Sequence, residues 1–222
     1  MQFSNMLTFV SLLMAISFTT KVIAVDSHNS TQPALSKVYI MRQDTHFPKG
    51  HMEIYGPDGT VLYRFVNYLQ GGVAGYSMTV LSSPSWGELF ALESTNDLCG
   101  HKTVHKELTH PGSPAREFKI NPHGLYKDEW KFSFTDLRSS QRLSFRFDRN
   151  YRNKEGKIYA RVNGHDGDEV AELKNEHRKD PWLTHDSHSV DTYTLYCTAD
   201  SPQVELVTLM ALVLTRVADC GI

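Results

Sequence analysis

The chain has 222 residues, 23 Lys and Arg against 25 Asp and Glu, a formal net charge of −2, and an apolar share of 40%. Charge so nearly balanced gives no support to nucleic acid or an anionic membrane as an obligatory partner, because both are held through a cationic excess. Three cysteines, Cys99, Cys197 and Cys220, are too few for a scaffold built from disulfides.

At the start, Leu7 to Phe18 is an almost unbroken apolar run followed by Thr19-Thr20-Lys21-Val22-Ile23-Ala24. Its length suits the core of a secretory signal, and Val22 and Ala24 fit the positions before a cut. Residues 1–24 are therefore expected to be a signal peptide, although no Lys or Arg precedes the run. Residues 25–36 form a polar segment in which Asn29-Ser30-Thr31 makes Asn29 a glycosylation acceptor. Removing the signal leaves about 198 residues, a size that one β-barrel fills, so residues 37–222 are expected to form one domain in an extracellular protein.

Twelve short apolar or alternating segments follow, separated by turn residues. They run Val38–Arg42, His51–Tyr55, Val61–Val66, Tyr76–Leu81, Leu89–Glu93, Lys102–Leu108, Arg116–Ile120, Trp130–Phe134, Leu143–Asp148, Lys157–Val162, Val170–Lys174 and Asp191–Cys197. Alternation is sharpest where Leu143, Phe145 and Phe147 interleave with Ser144, Arg146 and Asp148. Gly56-Pro57-Asp58-Gly59 predicts a hairpin turn between the second and third strands. Asn153 to Gly156 and Gly164 to Gly167 predict two more.

The last element is of another kind. From Val204 to Val217 only Glu205, Thr208, Thr215 and Arg216 are polar. This predicts a helix over 201–219 that begins around Pro202, capped by Asp200 or Ser201, and stops at Gly221. Its uninterrupted apolar core, Leu209 to Leu214, is far shorter than the roughly 18–20 residues that cross a bilayer. A helix apolar on every side must be enclosed, and twelve short strands must close or cover their edges. One architecture meets both needs: a mainly β fold, a closed barrel of about twelve strands around a buried C-terminal helix.

The residues Glu53 to Arg64, the later strand pairs and above all Ala199 to Leu214 resemble the tubby C-terminal-like superfamily, which includes the phospholipid scramblases and the LURP-one-related proteins. The likeness runs from about Val38 to Ala218 and extends to small fungal proteins with this domain. It implies a twelve-stranded barrel threaded by the C-terminal helix. Tubby proteins bind phosphoinositides through basic residues on the barrel, but that motif has no residue-by-residue match here.

The candidate sites are few. Arg138, Arg142, Arg146, Arg149 and Arg152 cluster around the eighth to tenth strands and suit an anionic head group or polyanion, with Arg149 to Lys154 expected in a loop. His177, His185 and His188 lie in a polar insertion that suits a divalent metal. His101 and His105 would face one way on a strand. Asp166 to Glu169 offers oxygens to calcium but lacks the other ligands of a calcium loop and is expected to be a turn. Trp86, Trp130 and Trp182 suit a groove, with Trp130 expected in the core. Cys99 with Cys197 would place one disulfide on strands in an oxidising compartment, the alternative being three buried thiols. No Gly-x-Ser-x-Gly elbow or phosphate loop is present, and no cofactor is expected. The leading expectation is a secreted, non-enzymatic barrel that binds a lipid head group, a polyanion or a protein partner. The alternatives are a metal-dependent enzyme using His177 to His188 and a host-interacting factor in which the barrel carries variable loops.

Overall fold

Leu35–Arg42 (β1), Met52–Tyr55 (β2), Val61–Leu69 (β3), Ser77–Ser82 (β4), Glu88–Ser94 (β5) and Thr103–Glu107 (β6) form the first half of the barrel. Glu117–His123 (β7), Lys127–Thr135 (β8), Arg142–Arg149 (β9), Gly156–Val162 (β10), His165–Arg178 (β11) and Val190–Thr198 (β12) form the second, and Gln203–Cys220 (α1) ends the chain. This computed structural model describes residues 34–43, 50–69, 74–108, 110–123, 127–150, 152, 154–183 and 188–221. The expected signal peptide, Asn29 and His185 lie outside the described residues.

Every strand pairs antiparallel with its neighbours in sequence, and β1 pairs with β12, so the sheet closes without a free edge. The wall obeys the two-residue period of a strand. On β9, Leu143, Phe145, Phe147 and Arg149 form the lumenal set, and Arg142, Ser144, Arg146 and Asp148 form the outer one. On β8 the buried set is Asp128, Trp130, Phe132 and Phe134. Stacked rings knit three strands together inside, with Phe118 on Phe132 at 5.5 Å and Phe132 on Phe145 at 4.7 Å between centroids.

All residues of α1 from Glu205 to Arg216 are buried. Exposure is 2% or less for Leu206, Val207, Leu209, Met210, Ala211, Leu212, Val213 and Leu214, which join the wall residues in one core. With 18 residues, α1 is about 27 Å long at about 1.5 Å per residue. Each fully buried aliphatic side chain contributes about 1.5–3 kcal/mol over an exposed one, so the seam between helix and wall is the main source of stability.

Several boundaries differ from the sequence reading. Pro202 occupies the cap position of α1 and no side chain caps the helix. Ser201 instead donates its hydroxyl to the Thr198 carbonyl at 2.7 Å, closing the turn that leads out of β12. The tight turn between β10 and β11 is Asn163-Gly164, both with positive φ. Gly167 and the carboxylates Asp166, Asp168 and Glu169 therefore lie on β11 rather than in a turn. The Gly56–Gly59 turn is as expected, and Gly59 (φ +84°) could not carry a side chain, since a Cβ there would lie 2.5 Å from the Trp182 ring.

Replacing Leu209 by Ala opens a hole between the helix and the wall. We expect a stability loss of about 2–5 kcal/mol in urea unfolding, with the β-rich circular dichroism spectrum retained.

Candidate functional site

The five arginines of the expected basic patch do not form one face. Arg149 is the correction: it lies on β9 rather than in a loop, its parity turns it into the lumen, and it is 2% exposed. Arg146 is committed outside, with Nε 3.0 Å from both carboxylate oxygens of Asp166 and Nη1 3.2 Å from Asp148 Oδ1. Arg142 donates to the Ala115 carbonyl and to Ser133 Oγ. Arg138 and Arg152 are exposed. Exposed ion pairs of the Arg146 type contribute little, about 0–1 kcal/mol, but they occupy the charge that a head group would need.

The histidine candidates separate too. His177 is on β11, exposed, with Nδ1 against the Asp191 carboxylate of β12. His188 is exposed before β12. Among the described residues, no three His, Cys, Asp or Glu side chains are grouped to hold a metal. His101 precedes β6 and is exposed, whereas His105 is buried on that strand, so the two do not share a face.

The disulfide links Cys99 with Cys220, not with Cys197. Cys99 lies between β5 and β6 beside the C-terminal end of α1, where its sulfur is 3.8 Å from the Asp219 carbonyl. Cys197 is on β12 near Ser201, at the other end of the helix, where burial pushes its thiol pKa up. The helix itself keeps Cys99 and Cys197 apart.

The two charges of α1 organise the two barrel ends. At the first, Glu205 Oε1 accepts from Arg116 Nε at 2.7 Å, Arg116 Nη1 reaches Glu107 Oε1 at 3.0 Å, and the guanidinium lies 4.2 Å over the Phe90 ring. Burial raises the Glu205 pKa and Arg116 opposes the rise. An open pocket of about 540 Å³ adjoins this end, with Phe134, Phe145 and Val170 in its lining beside Asp136, Asp168 and Glu205.

At the other end, Arg216 is shared between Asp97 (Nη1 to Oδ1, 3.5 Å), Asp128 (Nε to Oδ2, 3.7 Å) and the His101 carbonyl (3.4 Å). Asp97 also accepts from Ser77 Oγ at 2.7 Å and lies 4.0 Å from His105 Nε2. Asn67, Asp97, His105, Arg216 and the disulfide line a cavity of about 230 Å³. β8 and β9 pair Trp130 with Phe147, and continuing that register by two residues sets Asp128 beside Arg149. Tyr193 of β12 stands close enough to Arg149 to feel its charge, and burial pushes its hydroxyl pKa up to about 12.

This concentration of buried charge is what reading the sequence missed. The signal was parity, because Arg149 continues the series Leu143, Phe145, Phe147, and Asp128 precedes Trp130, Phe132, Phe134 by the same step of two.

A third feature is on the outer face. Trp86 is 54% exposed with φ +68°, its ring meets His51 edge-on at 4.6 Å, and the Arg64 guanidinium lies 4.5 Å from its centroid. Trp130, in contrast, is fully buried as expected.

Comparison with protein-family models, with curated proteins and with solved structures found no match for this chain. The site is therefore read from its own chemistry.

Two outcomes follow. Thiol titration of the denatured, unreduced protein should give one reactive thiol, Cys197, rising to three on reduction; three thiols without reductant would remove the Cys99–Cys220 bond. His105 has its pKa held below the ordinary 6.5, chiefly by burial and against the pull of Asp97. A buried neutral histidine binds a proton on unfolding, so its contribution is complete above pH 6.5 and is lost as pH falls through the folded-state pKa. His105→Gln should therefore flatten the loss of stability between pH 7 and pH 5 in urea titrations, and an unchanged slope would assign that loss to other groups.

Proposed function

We propose that this chain is an exported, non-enzymatic barrel of the tubby-like kind that recognises a protein partner on its outer face around Trp86. The single observation that carries the reading is the Trp86 side chain, held out to solvent on a left-handed backbone and braced by Arg64 and His51. A non-glycine residue in that conformation costs on the order of 1–3 kcal/mol, and here the β4–β5 turn imposes it, with Trp86 N–H donating to the Ser83 carbonyl at 3.0 Å. Tryptophan and arginine together form the anchors that dominate protein interfaces. Leu89 on β5 and Tyr68 on β3 are also exposed.

The filled lumen supports the same reading, since a barrel packed around its own helix leaves recognition to its outer face and its ends. A lipid head group at the arginines has less support, because Arg142 and Arg146 are engaged and Arg149 faces inward. The twelve-stranded barrel with an enclosed C-terminal helix supports the tubby-like assignment.

The test places a photo-crosslinking residue at Leu89, identifies the protein captured, and titrates it against wild type and Trp86→Ala. Truncating the anchor is expected to weaken binding by about 2 kcal/mol, roughly thirtyfold. Equal affinity for both proteins would overturn the proposal. So would salt-sensitive sedimentation with anionic vesicles that survives Trp86→Ala and is lost in an Arg138→Ala, Arg152→Ala double variant.

A further inference from the structure

The barrel end around Arg149 is chemically incomplete as it stands. All three guanidinium nitrogens of Arg149 are buried without a hydrogen-bond partner, as is Trp130 Nε1, while Arg216 Nε and Asp128 Oδ2 meet each other only as an ion pair at 3.7 Å, beyond hydrogen-bond reach. Buried polar groups in native proteins are almost always paired, and an unpaired one carries its full desolvation penalty. An arginine with every donor unmet is the extreme form, because the guanidinium cannot shed its charge.

The unmet groups are unequal in kind. Five are donors, and one, Asp128 Oδ2, is an acceptor. Whatever completes the cluster therefore presents mostly acceptors. Charges of both signs meet at this end. The charged groups acting on Arg149 include the cation Arg216 and one anion, Asp128, and Lys154 is a further cation that feels both Arg149 and Asp128. Arg216 is shared between Asp97 and Asp128. Arg149, Arg216 and Lys154 thus share this end with Asp128, Asp97 and Asp219, whose carboxyl pKa is raised by burial. The Arg149 fork still lacks a pair of acceptor oxygens, which a single water does not present.

We infer that this end of the barrel is a binding site for a small monocarboxylate, held by the forked donors of Arg149 with Trp130 Nε1 and Arg216 Nε beside it. A carboxylate matches the guanidinium fork edge to edge through two parallel hydrogen bonds. Arg216 also lines the roughly 230 Å³ cavity with Asn67, Asp97 and His105. The site does not depend on the Trp86 surface, so either reading can fail without the other.

The test uses the full chain in thermal melts with sodium acetate, chloride or phosphate at matched ionic strength, together with saturation-transfer NMR on the acetate methyl group. At ten times the dissociation constant, mass action gives acetate a midpoint rise of about 3–6 °C. Chloride should give much less. Arg149→Met should keep the barrel spectrum and lose the acetate increment. Trp130→Phe, which removes only the indole donor, should weaken acetate binding by roughly tenfold. Equal increments in acetate and chloride, a larger one in phosphate, an acetate increment retained in Arg149→Met, or no saturation transfer to acetate with the wild-type protein would each overturn the proposal.

Discussion

Everything in this fold depends on one mismatch: a helix with no polar side cannot remain in water. An amphipathic helix can lie on a sheet and show its other face to solvent, but the stretch from Leu206 to Leu214 has no face to show. A single flat sheet would cover half of it. Closure of the wall through the β1–β12 pairing solves the problem for the helix and removes the sheet's open edges in the same step. Helix and barrel are thus mutually required, since an empty lumen of this size would be lined with apolar side chains against water.

The ends of such an assembly carry its polar chemistry. A helix inside a barrel still exposes its terminal amides and carbonyls, and α1 places an acid in its first turn and a base near its last, as its dipole favours. Glu205 meets Arg116, and Arg216 meets Asp97 and Asp128. These pairs fix the helix in register along the barrel axis, because a slide of one turn, about 5.4 Å, would break both and bury the charges alone. At the Glu205 end one cation, Arg116, bridges two acids, Glu205 and Glu107. At the Arg216 end the ion pairs leave the Arg149 guanidinium without a hydrogen-bond partner.

The architecture was legible because two independent periodicities agreed. A period of two appeared in Leu143-Phe145-Phe147, and an all-round apolar helix followed it; each implies the other's partner. Strand positions were found because turn chemistry at Gly56–Gly59 and at Gly164 marks them. What could not be read was which end of the barrel a given residue occupies. The Cys99–Cys197 pairing failed for that reason, since both residues fit strands or their edges but stand at opposite ends of α1. Arg149 was misplaced because charge suggested a loop while parity pointed inward, and parity prevailed. The His177 to His188 segment looked like one insertion, yet β11 runs on to Arg178 and takes His177 into the sheet.

The bond between Cys99 and Cys220 spans 121 positions of sequence. It encloses β6 to β12 and α1 in a single covalent ring, with β1 to β5 as a tail outside it. A protease that cuts once within the ring opens it but frees no fragment, because the two pieces remain joined through sulfur. A cut before Cys99 releases strands held by hydrogen bonds and packing alone. Resistance to backbone cleavage is therefore uneven along the chain, and the half that contains the helix is the half that survives a nick.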